Sequence, residues 1–283
     1  MPELPEVETV RRGLARLVVD HRIERVEVNH DRVVRRTSRS DLVSGLQGAF
    51  ITEVSRRGKY LLFALNSGSS FMVHLRMSGQ VLIANPESER PRHSHVVLTL
   101  VSPVGSAPVE FRFVDPRTFG EVVAFTPKNF AERLPELVSL GPDPVVDGVG
   151  PEELSGALAR TRRPIKAVLL DQRVVAGIGN IYGDEILHRA RINPWRPANQ
   201  INRHQIRRLH GALHEILSEA IACGGSTLGD AQYVGVDGQP GGFQGQHKVY
   251  GRAGAVCVSC GRSKVVSARL GGRTTSWCQV CQR

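Results

Sequence analysis

Two Cys-x-x-Cys pairs set the tightest limit on what this chain can fold into: Cys257-x2-Cys260, then seventeen residues, then Cys278-x2-Cys281. Knuckles at this separation match the ligand spacing of a four-cysteine zinc ribbon, in which four thiolates surround one tetrahedral ion. Four unrelated buried thiols would have no reason to share the spacing. Because the protein supplies all four ligands, the expected site is closed and structural, with one Zn2+ as cofactor and no open position for chemistry. Between the knuckles, Gly271-Gly272 reads as a hairpin turn amid Arg262, Lys264, Arg269 and Arg273. The metal would thus staple a basic β-hairpin suited to a groove. Cys223 lies outside the pattern and reads as a small buried hydrophobe.

The 283 residues suffice for two domains, and 41% hydrophobic with 23% charged residues is the balance of a globular protein. No apolar run approaches the roughly 18 residues of a membrane span, and no secretory leader is recognisable. A cytoplasmic protein is the expectation, and cysteines crowded into the last 27 residues then favour metal over disulfides. A net charge of +10, carried mainly by arginine, favours a polyanionic partner, since neutralising phosphates releases counterions.

Taken in order, Leu4 to Val18 has the periodicity of an amphipathic helix, with Val7, Val10, Leu14 and Leu17 on one face and Glu3, Glu6 and Glu8 in the first turns, where the helix dipole favours acids. From Arg22 to Phe125 short alternating or apolar runs follow: Ile23–Val28, Tyr60–Leu65, Phe71–Leu75, Gln80–Ile83, Val96–Val101 and Val109–Val114. Turn signals separate them at strand spacing, which predicts an antiparallel β-sandwich or barrel with the first helix packed on it. Residues 134–150, around Gly141-Pro142-Asp143-Pro144, read as a linker. Helical periodicity then covers 152–160, 165–172, 181–189 and 203–223, a Gly-rich stretch from Gly224 to Gly245 reads as a mobile loop, and 249–283 forms the ribbon.

Pro2 can be read in two ways. Proline suits a helix start. With the initiator Met removed it would also present a secondary α-amine, of the class whose ordinary pKa is about 7.7–8.0, able to attack an electrophilic carbon and leave a cationic iminium. Gly177-Ile178-Gly179-Asn180 before a helix is either an ordinary turn or an anion clamp with Asn180 as N-cap. Arg56-Arg57-Gly58-Lys59, the His74–Gly79 stretch with Met77, and Asp115–Gly120 with Arg117 and Phe119 are singly unremarkable. Together they suit a protein that fills a gap in a base stack and reads the orphaned base with arginine.

These residues resemble the formamidopyrimidine-DNA glycosylases, collinearly and over nearly the whole chain. The resemblance runs through Pro2–Gly13, Arg57–Tyr60, His74–Gly79, Asp115–Arg117, Ile165-Lys166, Gly177–Tyr182, Gly224–Thr227 and the ribbon up to Cys281-Gln282. It implies a two-domain α+β fold: residues 1–133 as a catalytic β-sandwich with a flanking helix, 151–248 as a helical DNA-binding domain of helix–two-turns–helix type with a lesion loop, and 249–283 as the ribbon. It implies a bifunctional glycosylase/lyase, expected to be monomeric, that removes 8-oxoguanine and formamidopyrimidines from double-stranded DNA. Pro2 would be the nucleophile and Glu3 the acid/base that opens the sugar. Lys59 would serve β-elimination, and Arg273 δ-elimination and phosphate binding. Met77, Arg117 and Phe119 would fill the void left by the flipped nucleotide, and His93, Lys166 and Asn180 would hold the DNA backbone. Ser226, Thr227 and Tyr233 would face the flipped base.

The sequence departs from the family's pattern in three places. Thr118 stands where a basic residue is usual, Leu228-Gly229-Asp230-Ala231 is less basic than its counterparts, and Ser276 replaces an aromatic beside Trp277. Two rival readings are an endonuclease VIII-type enzyme for oxidised pyrimidines, disfavoured by Leu4 and the Arg117/Phe119 pair, and a DNA-binding ribbon protein without catalysis, disfavoured by Pro2, Glu3 and Lys59 together.

Overall fold

The computed structural model describes residues 1–229 and 233–283, so Asp230 and Ala231 of the less basic loop lie outside the described residues. The chain forms two compact units, Met1–Val138 with Cys223–Gly242, and Ser139–Ala222 with Phe243–Arg283. The expected helical domain 151–248 thus loses Cys223–Gly242 to the first unit. The physical reason is a close approach: a Cβ on Gly13 of the first helix would lie 2.6 Å from Val236 Cγ2, so the missing side chain is what lets Val236 seat there.

In the first unit α1 (Leu4–Val18) has the predicted bounds. Val7, Val10 and Leu14 are buried, but the stripe ends on Val18 rather than Leu17, which is 44% exposed. At about 100° per residue Val18 falls about 20° from Val7, whereas Leu17 falls about 80° away. Strand β1 (Arg22–Val28), helix α2 (Arg39–Leu46) and strands β2 (Ile51–Arg57), β3 (Tyr60–Leu65), β4 (Ser70–His74), β5 (Gln80–Ala84), β6 (Ser94–Val101), β7 (Val109–Val114) and β8 (Glu121–Phe125) follow, then short helices α3 (Phe130–Arg133) and α4 (Pro135–Val138). The expected linker therefore opens with a helical turn. The strands form two four-stranded antiparallel sheets, β1-β6-β7-β5 and β2-β3-β4-β8. Apolar side chains of α1 and both sheets share one core, centred on Phe63 stacked on Phe71 at 4.2 Å with Phe111 edge-on.

The second unit carries α5 (Pro151–Ala159), α6 (Ile165–Leu169), α7 (Asn180–Arg189) and α8 (Arg203–Ala222), then the hairpin β9 (Val266–Leu270) and β10 (Arg273–Trp277). Gly271 and Gly272, at φ +56° and +79°, make the two-residue turn between the paired Leu270 and Arg273, the I′ geometry that matches strand twist. The helices bury Leu154, Leu158, Ile186, Leu187, Leu213 and Leu217. Among the described residues no helix is long and apolar enough to cross a membrane.

Candidate active site and nucleic-acid interface

Pro2 is buried immediately ahead of α1, and Glu3, only 2% exposed, is the helix N-cap. The Glu3 N–H donates to Glu6 Oε2 at 2.8 Å and closes a capping box, which fixes the backbone of the first residues. Glu6 Oε1 in turn accepts the Ser226 N–H at 2.7 Å. The start of the stretch expected to be mobile is therefore tied, at Ser226, to the helix that follows Pro2. Gly225, at φ +77°, allows this approach, since a Cβ there would meet Glu6 Oε1 at 2.8 Å. Thr227 Oγ1 donates to the Tyr233 carbonyl and accepts the Gly241 N–H, both at 2.8 Å. The buried Tyr233 hydroxyl donates to the Gly224 carbonyl at 3.0 Å, and burial beside the Glu6 carboxylate pushes its pKa up.

Lys59 is 6% exposed and shares with Gly58, at φ +57°, the two-residue turn joining β2 to β3. That turn is tied to α1 through a buried ion pair which sequence reasoning missed. Arg56, with no side-chain exposure, donates from Nε to Glu8 Oε2 at 3.0 Å and from Nη1 to the Gly58 carbonyl at 2.9 Å. Glu8 also accepts from Arg11 and Arg12. Burial alone would raise its pKa, but hydrogen bonds from three guanidiniums prevail and hold it down at about 2.

Met77, Arg117 and Phe119 are exposed, with the Arg117 guanidinium 4.7 Å over the Phe119 ring. Buried Asp115 gathers both of their loops: its Oδ1 accepts from Ser78 Oγ at 2.5 Å and the Arg117 N–H at 3.2 Å, and its Oδ2 from the Gly120 N–H at 2.7 Å. Gly120 has no room for a side chain, since a Cβ would lie 2.5 Å from Phe113 Cζ. His93, exposed and at φ +67°, lies beside this loop through its carbonyl, which accepts the Asp115 N–H at 3.1 Å.

In the second unit the expectation for Lys166 needs correction. Its side chain is 1% exposed; the ammonium lies 2.6 Å from Asp184 Oδ1 as an ion pair and donates to Thr275 Oγ1 at 2.9 Å and to the Thr274 carbonyl at 3.2 Å. Lys166 thus tethers the hairpin from inside rather than offering a surface cation. Asn180 is the first residue of α7, not its N-cap, which is Gly179, and Asn180 Nδ2 donates to the same Thr274 carbonyl at 2.9 Å. Burial pushes Asp184 up to about 6 despite Lys166 beside it. Asp184 Oδ2 accepts the N–H of Ser276, which is buried, while Trp277 packs on Trp195 at 4.3 Å. Arg273 stands exposed at the hairpin turn.

The four predicted cysteines converge, with all Sγ atoms within 4.8 Å of one another, Cys257–Cys281 at 3.9 Å and Cys260–Cys278 at 3.7 Å. A tetrahedral ion with metal–sulfur bonds of about 2.3 Å requires sulfurs about 3.8 Å apart, so the group can hold a metal. Cys223 is half-buried rather than fully buried.

A β-sandwich followed by a helical region and a four-cysteine hairpin, with Pro2 buried ahead of the first helix and Met77, Arg117 and Phe119 exposed, is the architecture of a DNA glycosylase. Two family models match: the formamidopyrimidine-DNA glycosylase N-terminal domain over residues 1–122 and the formamidopyrimidine-DNA glycosylase H2TH domain over 140–232. The formamidopyrimidine-DNA glycosylase of Desulfitobacterium hafniense is 41% identical, with all of both chains covered. The crystal structure of the MutM (Fpg) protein of Thermus thermophilus superposes with a TM-score of 0.87 at 42% identity, covering 99% of this chain and 98% of that one. The Lactococcus lactis Fpg in complex with abasic-site DNA gives 0.88 at 34% identity, covering 99% of each. The chain belongs to the formamidopyrimidine-DNA glycosylase family and is a DNA-repair glycosylase.

Proposed function

We propose that the protein removes 8-oxoguanine and formamidopyrimidines from duplex DNA and then cleaves the strand at the same site, with Pro2 as nucleophile. Freed of Met1, the Pro2 amine attacks the sugar C1′. The C1′–base bond breaks, and Glu3 delivers the proton that opens the sugar. The resulting iminium draws electrons from the adjacent C–H bond, whose proton is lost as the 3′ phosphate leaves, and a second elimination releases the 5′ phosphate. Lys59 serves the first elimination and Arg273 the second, Arg273 also gripping phosphate.

Met77, Arg117 and Phe119 fill the vacated stack, with Arg117 facing the estranged cytosine. His93 and Asn180 meet the backbone, and Lys166 acts behind them as a tether. Ser226, Thr227 and Tyr233 face the extruded base. The four cysteines hold Zn2+, whose contribution is the rigidity of the hairpin that carries Arg273. The work is cytoplasmic, on the nucleoid.

The observation that carries this reading is the buried placement of Pro2 beside Glu3, whose backbone Glu6 fixes. A panel of duplexes with 8-oxoguanine or thymine glycol opposite cytosine or adenine tests it, scored for base release and strand cleavage. Fastest excision of 8-oxoguanine opposite cytosine is expected, and preference for thymine glycol would overturn the assignment.

A further inference from the structure

We propose that Glu121 is a positioning residue for recognition of the strand opposite the lesion, binding the two loops that carry Met77, Arg117 and Phe119 into one wedge. The inference rests on the reading of those three side chains given above and adds a residue that reading does not use.

Glu121 opens β8, paired across the sheet with His74. Its carboxylate, 1% exposed, meets three guanidiniums: Arg35 Nη2 at 2.7 Å, Arg36 Nε at 2.7 Å and Arg76 Nη2 at 2.9 Å. Even with Glu136 also on Arg36, one cation is in excess, and the Arg35 and Arg76 side chains remain 42% and 37% exposed. The cluster therefore holds positive charge at the surface while its counter-charge is buried beneath. Arg76 directly precedes Met77, and Arg35 also reaches the Phe119 carbonyl at 3.5 Å. One carboxylate thus holds one loop directly through Arg76 and the other through Arg35, as Asp115 laces them from within.

Both loops also contain a non-glycine residue in the left-handed region, Arg76 at φ +53° and the β-branched Thr118 at φ +52°. Such backbone persists only where its surroundings over-determine it, and the Glu121 and Asp115 networks supply that constraint. Insertion into a base stack needs Met77, Arg117 and Phe119 at matched depth, and loops ordered in advance spare the entropy of ordering them on DNA. Discrimination between opposite bases is a difference of affinities, so a slackened wedge loses preference before it loses turnover.

The test compares kcat/KM for 8-oxoguanine opposite cytosine and opposite adenine in wild type, Glu121→Gln, Arg35→Gln and the double variant, with urea melts alongside. Each single variant is expected to lower the cytosine:adenine preference roughly tenfold, the effect of one hydrogen bond to a charged group, and the double variant no further. Equal falls on both duplexes would make Glu121 a stability residue only and overturn the proposal. If Glu121→Gln fails to fold, Arg35→Gln decides alone, and an unchanged preference overturns it. Arg117→Ala separates the levels. If it keeps the wild-type preference, the assignment of Arg117 fails. If it loses the preference while Glu121→Gln and Arg35→Gln retain it, only the coupling fails.

Discussion

Pro2, Glu3 and Lys59 stand on an apolar core that runs from Val7 on α1 through Phe63, Phe71 and Phe111 in the sheets, whereas Arg273 stands on a hairpin whose core is Val249, Val265 and two of the cysteines. The two regions keep these candidate catalytic side chains in place by different forces. Burial of large side chains holds the first, with ion pairs such as Glu8–Arg56 adding register between helix and hairpin. The second is too small to fold on burial alone. It has polar bonds from α6 and α7 to Thr274, Thr275 and Ser276, and four cysteines that can hold a metal.

Removing the metal should break this contrast most severely. With Zn2+ held as proposed, chelation or Cys257→Ser would withdraw roughly 10 kcal/mol of apparent binding energy from the ribbon. Loss of ordered hairpin and of DNA binding is expected, with the sandwich still giving its own cooperative melt. A sandwich that unfolds with the ribbon would show the two are not separately held.

Lys166→Met comes next, at about 3–5 kcal/mol, because it leaves Asp184 buried without its cation. Hydrogen exchange should report the loss in the β9–β10 hairpin and not in the sheets, and Lys166→Met with Asp184→Leu should recover much of it.

The smallest expected effect lies in the first unit. Glu8 is held at about 2, below its ordinary 4.5, so its contribution is complete above pH 4.5 and lost as pH falls toward 2. Glu8→Gln should therefore flatten the acid limb of the stability curve over that window, by on the order of 3 kcal/mol. An unchanged acid limb would show that Glu8 does not tie α1 to the Lys59 turn.

Much of this was legible in the chain. The α1 stripe follows from 3.6-residue periodicity, and the metal site from cysteine spacing, because both are local patterns. Strand β2 was missed since Thr52, Glu53 and Arg57 blur alternation on a strand at the sheet edge. Contacts between residues far apart in sequence were beyond reach: Ser226 on Glu6, Arg35 on Glu121 and Lys166 on Asp184 leave no periodic trace. For Lys166 a lone lysine in a helix gives no sign of whether phosphate or a buried carboxylate is its partner, and only the fold decides.

The proposed mechanism requires that the Pro2 amine form the covalent bond to DNA. Borohydride trapping on an abasic-site duplex tests it directly, comparing wild type, Pro2→Gly and a chain whose first amine is blocked by an N-terminal tag. A trapped adduct is expected with wild type, a strongly diminished one with Pro2→Gly and none with the blocked chain, while the blocked chain still binds DNA. A blocked chain that still yields the adduct would contradict it.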